Sequence, residues 1–372
     1  MGEIGKRLVR VPGKGIEIET FEVPEPGPGQ VLVRVNRSQV SAGTELSAFI
    51  ELIEGNNEEA GIRKYGGYNT VGRVLLAGPG MEEYKPGDRV LSFGTHSSHW
   101  LTGASQQQGS QVVPSIQKIE HDITDEQAAF ARLGDVAMHS VRRAELQLDE
   151  SVAVFGQGVV GQLTTAFSRL SGAYPVIGVD LDDGRLELSK QSGATHTVNA
   201  SKEDSVKAVR SLTKQDPDSL SEVPDMSLGT TPYFQSLIEN VYGNAGVQCA
   251  FHVTRSAKTL VDCMKAAADR GKIILIASPR DTVETGIREE MLNKELQIRG
   301  SSAMRGIEQH PHPYWPWTLQ RDRSAIMRMI ATGDIKVDHL ISHVAKPEEA
   351  DDLYKQMASG PTGWMSVFFD WE

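Results

Sequence analysis

Cysteine is nearly absent: Cys249 and Cys263 are the only two in 372 residues. Two thiols exclude a disulfide framework and a structural zinc held by four thiolates. One lies in an apolar run and the other in an expected helix, so both read as buried thiols. Positive charge is also short, with 38 Lys and Arg against 49 Asp and Glu and a net charge of −11. That balance repels phosphate backbones and anionic lipid, and neither nucleic acid nor membrane is expected as a partner. No apolar run reaches the roughly 18 residues that would span a bilayer. "MGEIGKRLVRVPGKG" (1–15) has no apolar stretch followed by a small-residue cleavage site, so a cytoplasmic protein is expected. Internal repeats are missing too.

What is present is an ordinary globular composition, 39% hydrophobic and 23% charged. The chain is longer than one core usually supports, which favours two domains. Residues 1–120 hold short runs such as "QVLVRVNRSQV" (30–40), "TVGRVLLAG" (70–78) and "DRVLSFG" (88–94), separated by the turn-rich "PEPGPG" (24–29) and "YKPGD" (84–88). They predict several short strands in a barrel-like domain. At Thr124, a candidate N-cap ahead of an acidic first turn, the period becomes helical. Strands and helices then alternate: strand 151–156, helix 159–171, strand 175–180, helix 183–192 closed by Gly193, and strands at 195–200, 247–254, 272–278 and 296–303. The fold class is therefore α/β, with a Rossmann doubly wound parallel sheet and a second, β-rich domain. The stretch 214–232, rich in proline, acids and serine, reads as a surface insertion, with a lid as the alternative.

"SVAVFGQGVVGQ" (151–162) carries G-x-G-x-x-G between a strand and a helix, and the next strand ends in Asp180. The pattern alone is weak, but this context is the one a dinucleotide requires. Gly156 permits the tight turn, Gly158 lets the backbone approach a pyrophosphate, and Gly161 allows close helix–strand packing. Gln157, Val159 and Val160 complete the loop. Asp180, followed by Leu181, would accept hydrogen bonds from the adenosine ribose and repel a 2′-phosphate, favouring NAD over NADP. Arg185 lies close enough in sequence to keep some NADP use open.

The order of these domains resembles the medium-chain dehydrogenase/reductase family. "GDRV" (87–90), "AAFARLGDVAMHSVRRAEL" (128–146), "VAVFGQGVVGQL" (152–163), "GVDLDDGRLELSKQSGATHTVNAS" (178–201) and "DRGKIILIAS" (269–278) are similar to its polyol and alcohol dehydrogenase branches. The resemblance implies a GroES-like barrel over 1–122, a Rossmann NAD-binding domain over 123–335, a return to the catalytic domain over 336–372, and a homodimer or homotetramer. It also places the nicotinamide ribose and carboxamide by Thr254, Ala277 and Ser278. The metal site departs from the family. "SAGTE" (41–45) puts Ala42 where zinc-dependent members have a cysteine, "GYNTVG" (67–72) puts Tyr68 and Asn69 in place of histidine and glutamate, and Arg132 stands at a further ligand position. The second, structural zinc lobe has no cysteine in 92–114. No metal is expected, and the chain resembles a zinc-independent subgroup akin to bacteriochlorophyllide dehydrogenase and sugar- or cyclitol-modifying enzymes.

Without zinc, other groups must stabilise the developing oxyanion and move the hydroxyl proton. By the resemblance, Thr44 is a proton-relay hydroxyl, or else a turn contact. Tyr68 donates to the substrate oxygen, or simply packs. Arg132 replaces part of the missing cation, or pairs with Glu45 and seals an inert floor. His96 and His99 read as a solvated or packed pair, with His96 also a candidate acid/base. His139 reads as packed, and the aromatic, histidine-containing stretch 308–318 as an interface or pocket wall, with stacking on a sugar ring as a further reading. The expected partner is a small polar molecule. The expected function is oxidation of a secondary alcohol on a sugar, cyclitol or aminocyclitol with NAD. An NADPH-dependent quinone or enone reductase and a nucleotide-binding sensor without catalysis are the alternatives.

Overall fold

The computed structural model describes residues 2–53, 65–103, 105–108, 111–213, 245–279, 281–302, 316–360 and 363–372. The 214–232 insertion and His310 and His312 lie outside them. In chain order the elements begin with β1 (Ile4–Val11), β2 (Gly15–Glu22), β3 (Gln30–Gln39), α1 (Ala42–Ile53), β4 (Thr70–Ala77), β5 (Arg89–Ser92), β6 (His99–Gly103), β7 (Ser105–Gln108), β8 (Gln111–Pro114) and β9 (Ile116–Lys118). Then come α2 (Asp125–Ala144), β10 (Val152–Phe155), α3 (Val159–Leu170), β11 (Val176–Asp180), α4 (Asp183–Gln191), β12 (His196–Asn199) and α5 (Ser205–Leu212). The rest are β13 (Val247–His252), α6 (Ala257–Ala266), β14 (Ala267–Leu275), β15 (Gln297–Gly300), α7 (Leu319–Ala331), β16 (Ile341–Ala345), α8 (Ala350–Ser359) and β17 (Ser366–Asp370).

The described chain divides into two compact units, Met1–Asp135 with Ile307–Glu372, and Val136–Gly306. In the first, a seven-stranded sheet runs β16-β17-β3-β4-β5-β9, with β6 on β3. Its last strand, β17, lies antiparallel to β3, so the end of the chain completes the sheet that the N-terminal region begins. Val31, Val33, Val74, Val90 and Ile116 form one buried cluster, and Leu8, Phe49, Tyr354 and Phe369 belong to another. This is the β-rich GroES-like architecture. One local feature departs from the sequence reading, which gave 41–45 no helix: α1 begins at Ala42, and Thr44 and Glu45 lie in its first turn. The Glu45 carboxylate reaches back to the Ser41 N–H at 2.7 Å, satisfying an end-of-helix donor.

The second unit is a six-stranded sheet in the order β12-β11-β10-β13-β14-β15, and its neighbouring strands are parallel. This is the doubly wound Rossmann order, with the strand order reversing at β10. Its strands are short apolar runs because both faces are covered: all four residues of β10 are buried. Phe155, Ile177, Val179, Leu260 and Ile273 lie in the core. The expected Thr124 cap forms reciprocally, Thr124 Oγ1 accepting from Gln127 N at 3.1 Å and Gln127 Oε1 from Thr124 N at 2.9 Å. The fifth strand starts earlier than expected, at Ala267, and ends at Leu275, so Ala277 and Ser278 follow its C-terminal end. Cys249 and Cys263 are both free and buried, and burial pushes both thiols up, away from reactive thiolates. Among the described residues no helix is long and apolar enough to cross a membrane.

Candidate active site

Two residue clusters matter, one in each unit. In the Rossmann unit, β10 ends at the switch point in a turn where Gly156 has φ +100°. A Cβ on Gly161 would lie 1.8 Å from the Gly156 carbonyl oxygen, so the helix can approach the turn only because that position is glycine. Gly158 precedes α3 and no side chain caps the helix, leaving the amides of Val159 and Val160 to face a ligand. Asp180, at the end of β11, accepts from Gln157 N at 2.6 Å, Leu181 N at 2.8 Å and Asp182 N at 3.1 Å. Three backbone amides thus fix its carboxylate beside the glycine turn. Leu181 is 67% exposed. Arg185 lies in the first turn of α4, its N–H donating to the capping Asp182 at 2.9 Å. Thr254 follows β13, and its methyl lies 2.7 Å from where a Gly156 Cβ would stand. The Ala277 N–H donates to the His252 carbonyl at 3.3 Å, and Ser278 is exposed. These residues fit a dinucleotide: an uncapped helix start, a backbone with room for close approach, and an anchored acid one strand away.

In the first unit, Tyr68 donates to Ser41 Oγ at 2.5 Å and lies beside Thr44. Its ring stacks on Phe93 at 5.7 Å, and the Arg132 guanidinium lies 5.4 Å from the Tyr68 ring and 5.2 Å from Phe93. Burial pushes the Tyr68 hydroxyl up against the opposing pull of Arg132 and Ser41, so it stays protonated at neutral pH. Arg132 Nη1 bonds Asp135 at 3.0 and 3.1 Å, and Arg323 Nε bonds the same carboxylate at 2.9 Å. The Arg132 Nε is buried without a partner. The pairing of Arg132 with Glu45, one of the two arrangements considered from sequence, is absent, because each has a nearer partner. Thr44, Tyr68 and Arg132 therefore do come together.

Glu45 and His96 instead bond each other. Glu45 Oε2 accepts from His96 Nε2 at 2.9 Å, Gly67 N at 2.9 Å and Tyr354 OH at 2.8 Å, with Arg10 at 3.6 Å. With its proton on Nε2, the His96 ring accepts from Ser38 Oγ at 2.8 Å, and that oxygen in turn accepts from Trp371 Nε1 at 2.9 Å. His96 is 1% exposed, so both ring nitrogens are engaged inside the core. His99 and His139 are buried as well. Burial alone would raise the Glu45 carboxyl, but His96, the Ser41 amide and Arg10 outweigh it and hold the group at about 2. Depressed from 4.5, it contributes stability fully above about pH 4.5 and loses it as pH falls toward 2. Glu45→Gln should cost about 3–5 kcal/mol at neutral pH, because the buried Arg10 guanidinium loses its counter-charge. It should also flatten this acid limb, as read from urea midpoints measured across acid pH. An unchanged limb would mean that Glu45 does not set it.

Sequence reasoning missed Ser41, Asp135, Arg323, Tyr354 and Arg10. Asp135 could have been found as the i+3 partner of Arg132 on a helix. The others meet the site only through tertiary contacts.

The glycine turn, the anchored acid and the strand order agree with what the comparisons find. A zinc-binding dehydrogenase family model matches residues 159–321. L-threonine 3-dehydrogenase of Pyrococcus horikoshii is 26% identical over 375 residues, covering 95% of this chain and 94% of that protein. Over nearly its whole length the chain is similar to zinc-type dehydrogenases of the medium-chain dehydrogenase/reductase superfamily. Among solved structures, 2R,3R-butanediol dehydrogenase of Bacillus subtilis matches with a TM-score of 0.73 and 18% identity over 98% of this chain and 99% of that one. A zinc-binding dehydrogenase of Sinorhizobium meliloti bound to NADP, itself described as putative, matches with a TM-score of 0.72 and 21% identity over 99% of both. These neighbours share the fold.

The superfamily's zinc finds no matching ligand set among the described residues. Tyr68 and Arg132 are spent as above, and the Asn69 amide is tied to Gln39 at 2.7 Å and the Ala129 carbonyl at 2.9 Å. A guanidinium repels a cation rather than ligating it. No three His, Cys, Asp or Glu side chains among the described residues are grouped to hold a metal.

Proposed function

We propose that the protein oxidises a secondary alcohol of a polyhydroxylated substrate, such as a sugar, cyclitol or aminocyclitol, or reduces the matching ketone, using NAD and no catalytic zinc. The observation that carries this reading is Asp180, held by three amides beside the glycine turn. Its negative charge favours a free ribose 2′-hydroxyl over a 2′-phosphate, with Arg185 leaving a minor place for NADP. The relatives are named for L-threonine and 2R,3R-butanediol, both secondary alcohols, which supports oxidation at a secondary carbinol.

NAD held by the glycine turn and Asp180 would supply the acceptor for the hydride of the carbinol carbon. The chain's part is the oxygen. The substrate hydroxyl proton leaves by way of the Thr44, Tyr68 and Ser41 hydroxyls, each giving up its own proton as it receives one, and ends on solvent water; Tyr68 and Ser41 are already hydrogen-bonded. Arg132, oriented by Asp135, stabilises the alkoxide. Glu45, itself held by His96, fixes the backbone amides of Ser41 and Gly67, which precede Thr44 and Tyr68 in the chain, and so the pair act as supports. In this proposal 1–122 and 336–372 handle the substrate, 123–335 the cofactor, and the working form is a cytoplasmic homodimer or homotetramer.

The test is NADH formation from a panel of sugars, cyclitols and simple alcohols, with NAD and NADP compared. Turnover on a polyol with NAD ahead of NADP is expected. Reduction of a conjugated C=C bond with NADPH would replace this reading with the enone-reductase one. NADH binding without turnover on any substrate would favour a sensor.

A further inference from the structure

The cofactor reading leaves one fully buried histidine unused. His252 ends β13, paired with Phe155 of β10 on one side and Leu275 of β14 on the other. Its backbone carbonyl accepts from Ile276 N at 3.1 Å and Ala277 N at 3.3 Å, and the next residue, Val253, donates to the Phe155 carbonyl at 2.9 Å. Three segments that lead into Gly156, Thr254 and Ala277 are thereby joined at this position.

The side chain adds a second restraint. His252 Nε2 lies 3.1 Å from the Ser256 carbonyl oxygen and 3.2 Å from Thr254 Oγ1. A carbonyl only accepts, so Nε2 carries the ring proton and shares it between the two oxygens. Thr254 Oγ1 also receives the Ser256 N–H at 3.3 Å. Both partners of that hydroxyl are donors, so its own proton has no acceptor among the described residues. The Thr254 methyl meanwhile abuts Gly156, which places the group at the glycine turn. Asp180 stands on β11, on one side of β10, and β13 and β14 stand on the other. A dinucleotide whose pyrophosphate sits at the β10 turn, with adenosine toward Asp180, lays its other nucleoside toward Thr254.

We infer that His252 is a positioning residue for the cofactor: it locks the 253–256 turn so that Thr254 donates its hydroxyl proton to an acceptor oxygen of the nicotinamide nucleoside. This rests on the nicotinamide-cofactor reading above. Burial keeps the ring's proton affinity low, in the neutral form that the arrangement needs.

Calorimetric binding of NADH, ADP-ribose and ADP to the purified full-length protein tests it, using wild type, His252→Leu, His252→Gln and Thr254→Val. Failure of the wild type to bind NADH would sink the cofactor reading itself. Given wild-type binding, His252→Leu and Thr254→Val should each weaken NADH about tenfold, the worth of one hydrogen bond, while ADP is unchanged. His252→Gln, which restores an N–H donor, should recover most of the loss. ADP-ribose separates the two acceptors: loss shared by NADH and ADP-ribose assigns a ribose oxygen, and loss confined to NADH assigns the carboxamide oxygen. Equal weakening of all three ligands, or no change in NADH, overturns the inference. If His252→Leu does not fold, Thr254→Val alone decides, since an unaltered NADH affinity there removes the donor.

Discussion

Gly161→Ala should reduce NADH binding about 100-fold or more, the largest loss expected from any single methyl group in this protein. The added Cβ would sit 1.8 Å from the Gly156 carbonyl oxygen and 2.9 Å from its carbon, both backbone atoms that no side-chain rotation can move. Helix α3 must therefore back away from the β10 turn, carrying with it the uncapped amides that would meet the pyrophosphate. Such overpacking should also cost about 1–3 kcal/mol of stability. Gly158→Ala is the informative control. Its φ of −71° suits any residue and nothing lies within 4 Å of its Cβ, so the fold should be untouched. Affinity should nevertheless fall, because that space is where the pyrophosphate approaches. Calorimetry with NADH, paired with thermal melts without ligand, reads both effects. Normal NADH affinity in Gly161→Ala would refute the assignment of this turn.

Arg132→Met should lower kcat by about 100- to 1000-fold, the usual cost of removing one oxyanion-stabilising donor, while NADH affinity stays unchanged. The substitution keeps volume beside Tyr68 and Phe93 and leaves Asp135 its bond to Arg323, so the unit should still fold. Arg132→Lys should rescue only in part, since an ammonium does not reproduce a planar cation set against two rings. Tyr68→Phe keeps the ring stack and removes the hydroxyl, separating proton transfer from charge stabilisation. Stopped-flow measurement of the hydride step distinguishes these cases. A hydride step of wild-type speed in Arg132→Met would remove Arg132 from the chemistry.

Much of the Rossmann unit was legible in the sequence because its signals are local. The buried run 152–155, the glycines after it and the acid at 180 each specify a backbone event within a few residues. The same holds for the Thr124 cap, whose partner is three residues on. The first unit was less readable. The α1 helix begins inside a motif that composition reads as a turn, and it is held there by Glu45 reaching back to Ser41. His96 read as a solvated or packed histidine with acid/base use as a second reading, and what the sequence did not show is its two partners, Ser38 and Glu45, separated from it by 58 and 51 residues. Tyr354 reaches the same carboxylate from 309 residues away, and no local pattern announces a contact of that span. His252 was overlooked because a histidine in an apolar strand reads as packing. Only the chemistry of the carbonyl and hydroxyl beside it gives the ring a direction.

The most direct test of the central claim is turnover after metal removal. Protein assayed for bound metal, stripped with a strong chelator and assayed again, would be supplied with NAD and the best polyol of the panel. The account predicts NADH formation at the same rate before and after stripping, with no gain on adding zinc. Loss of activity on stripping, restored by zinc, would contradict it.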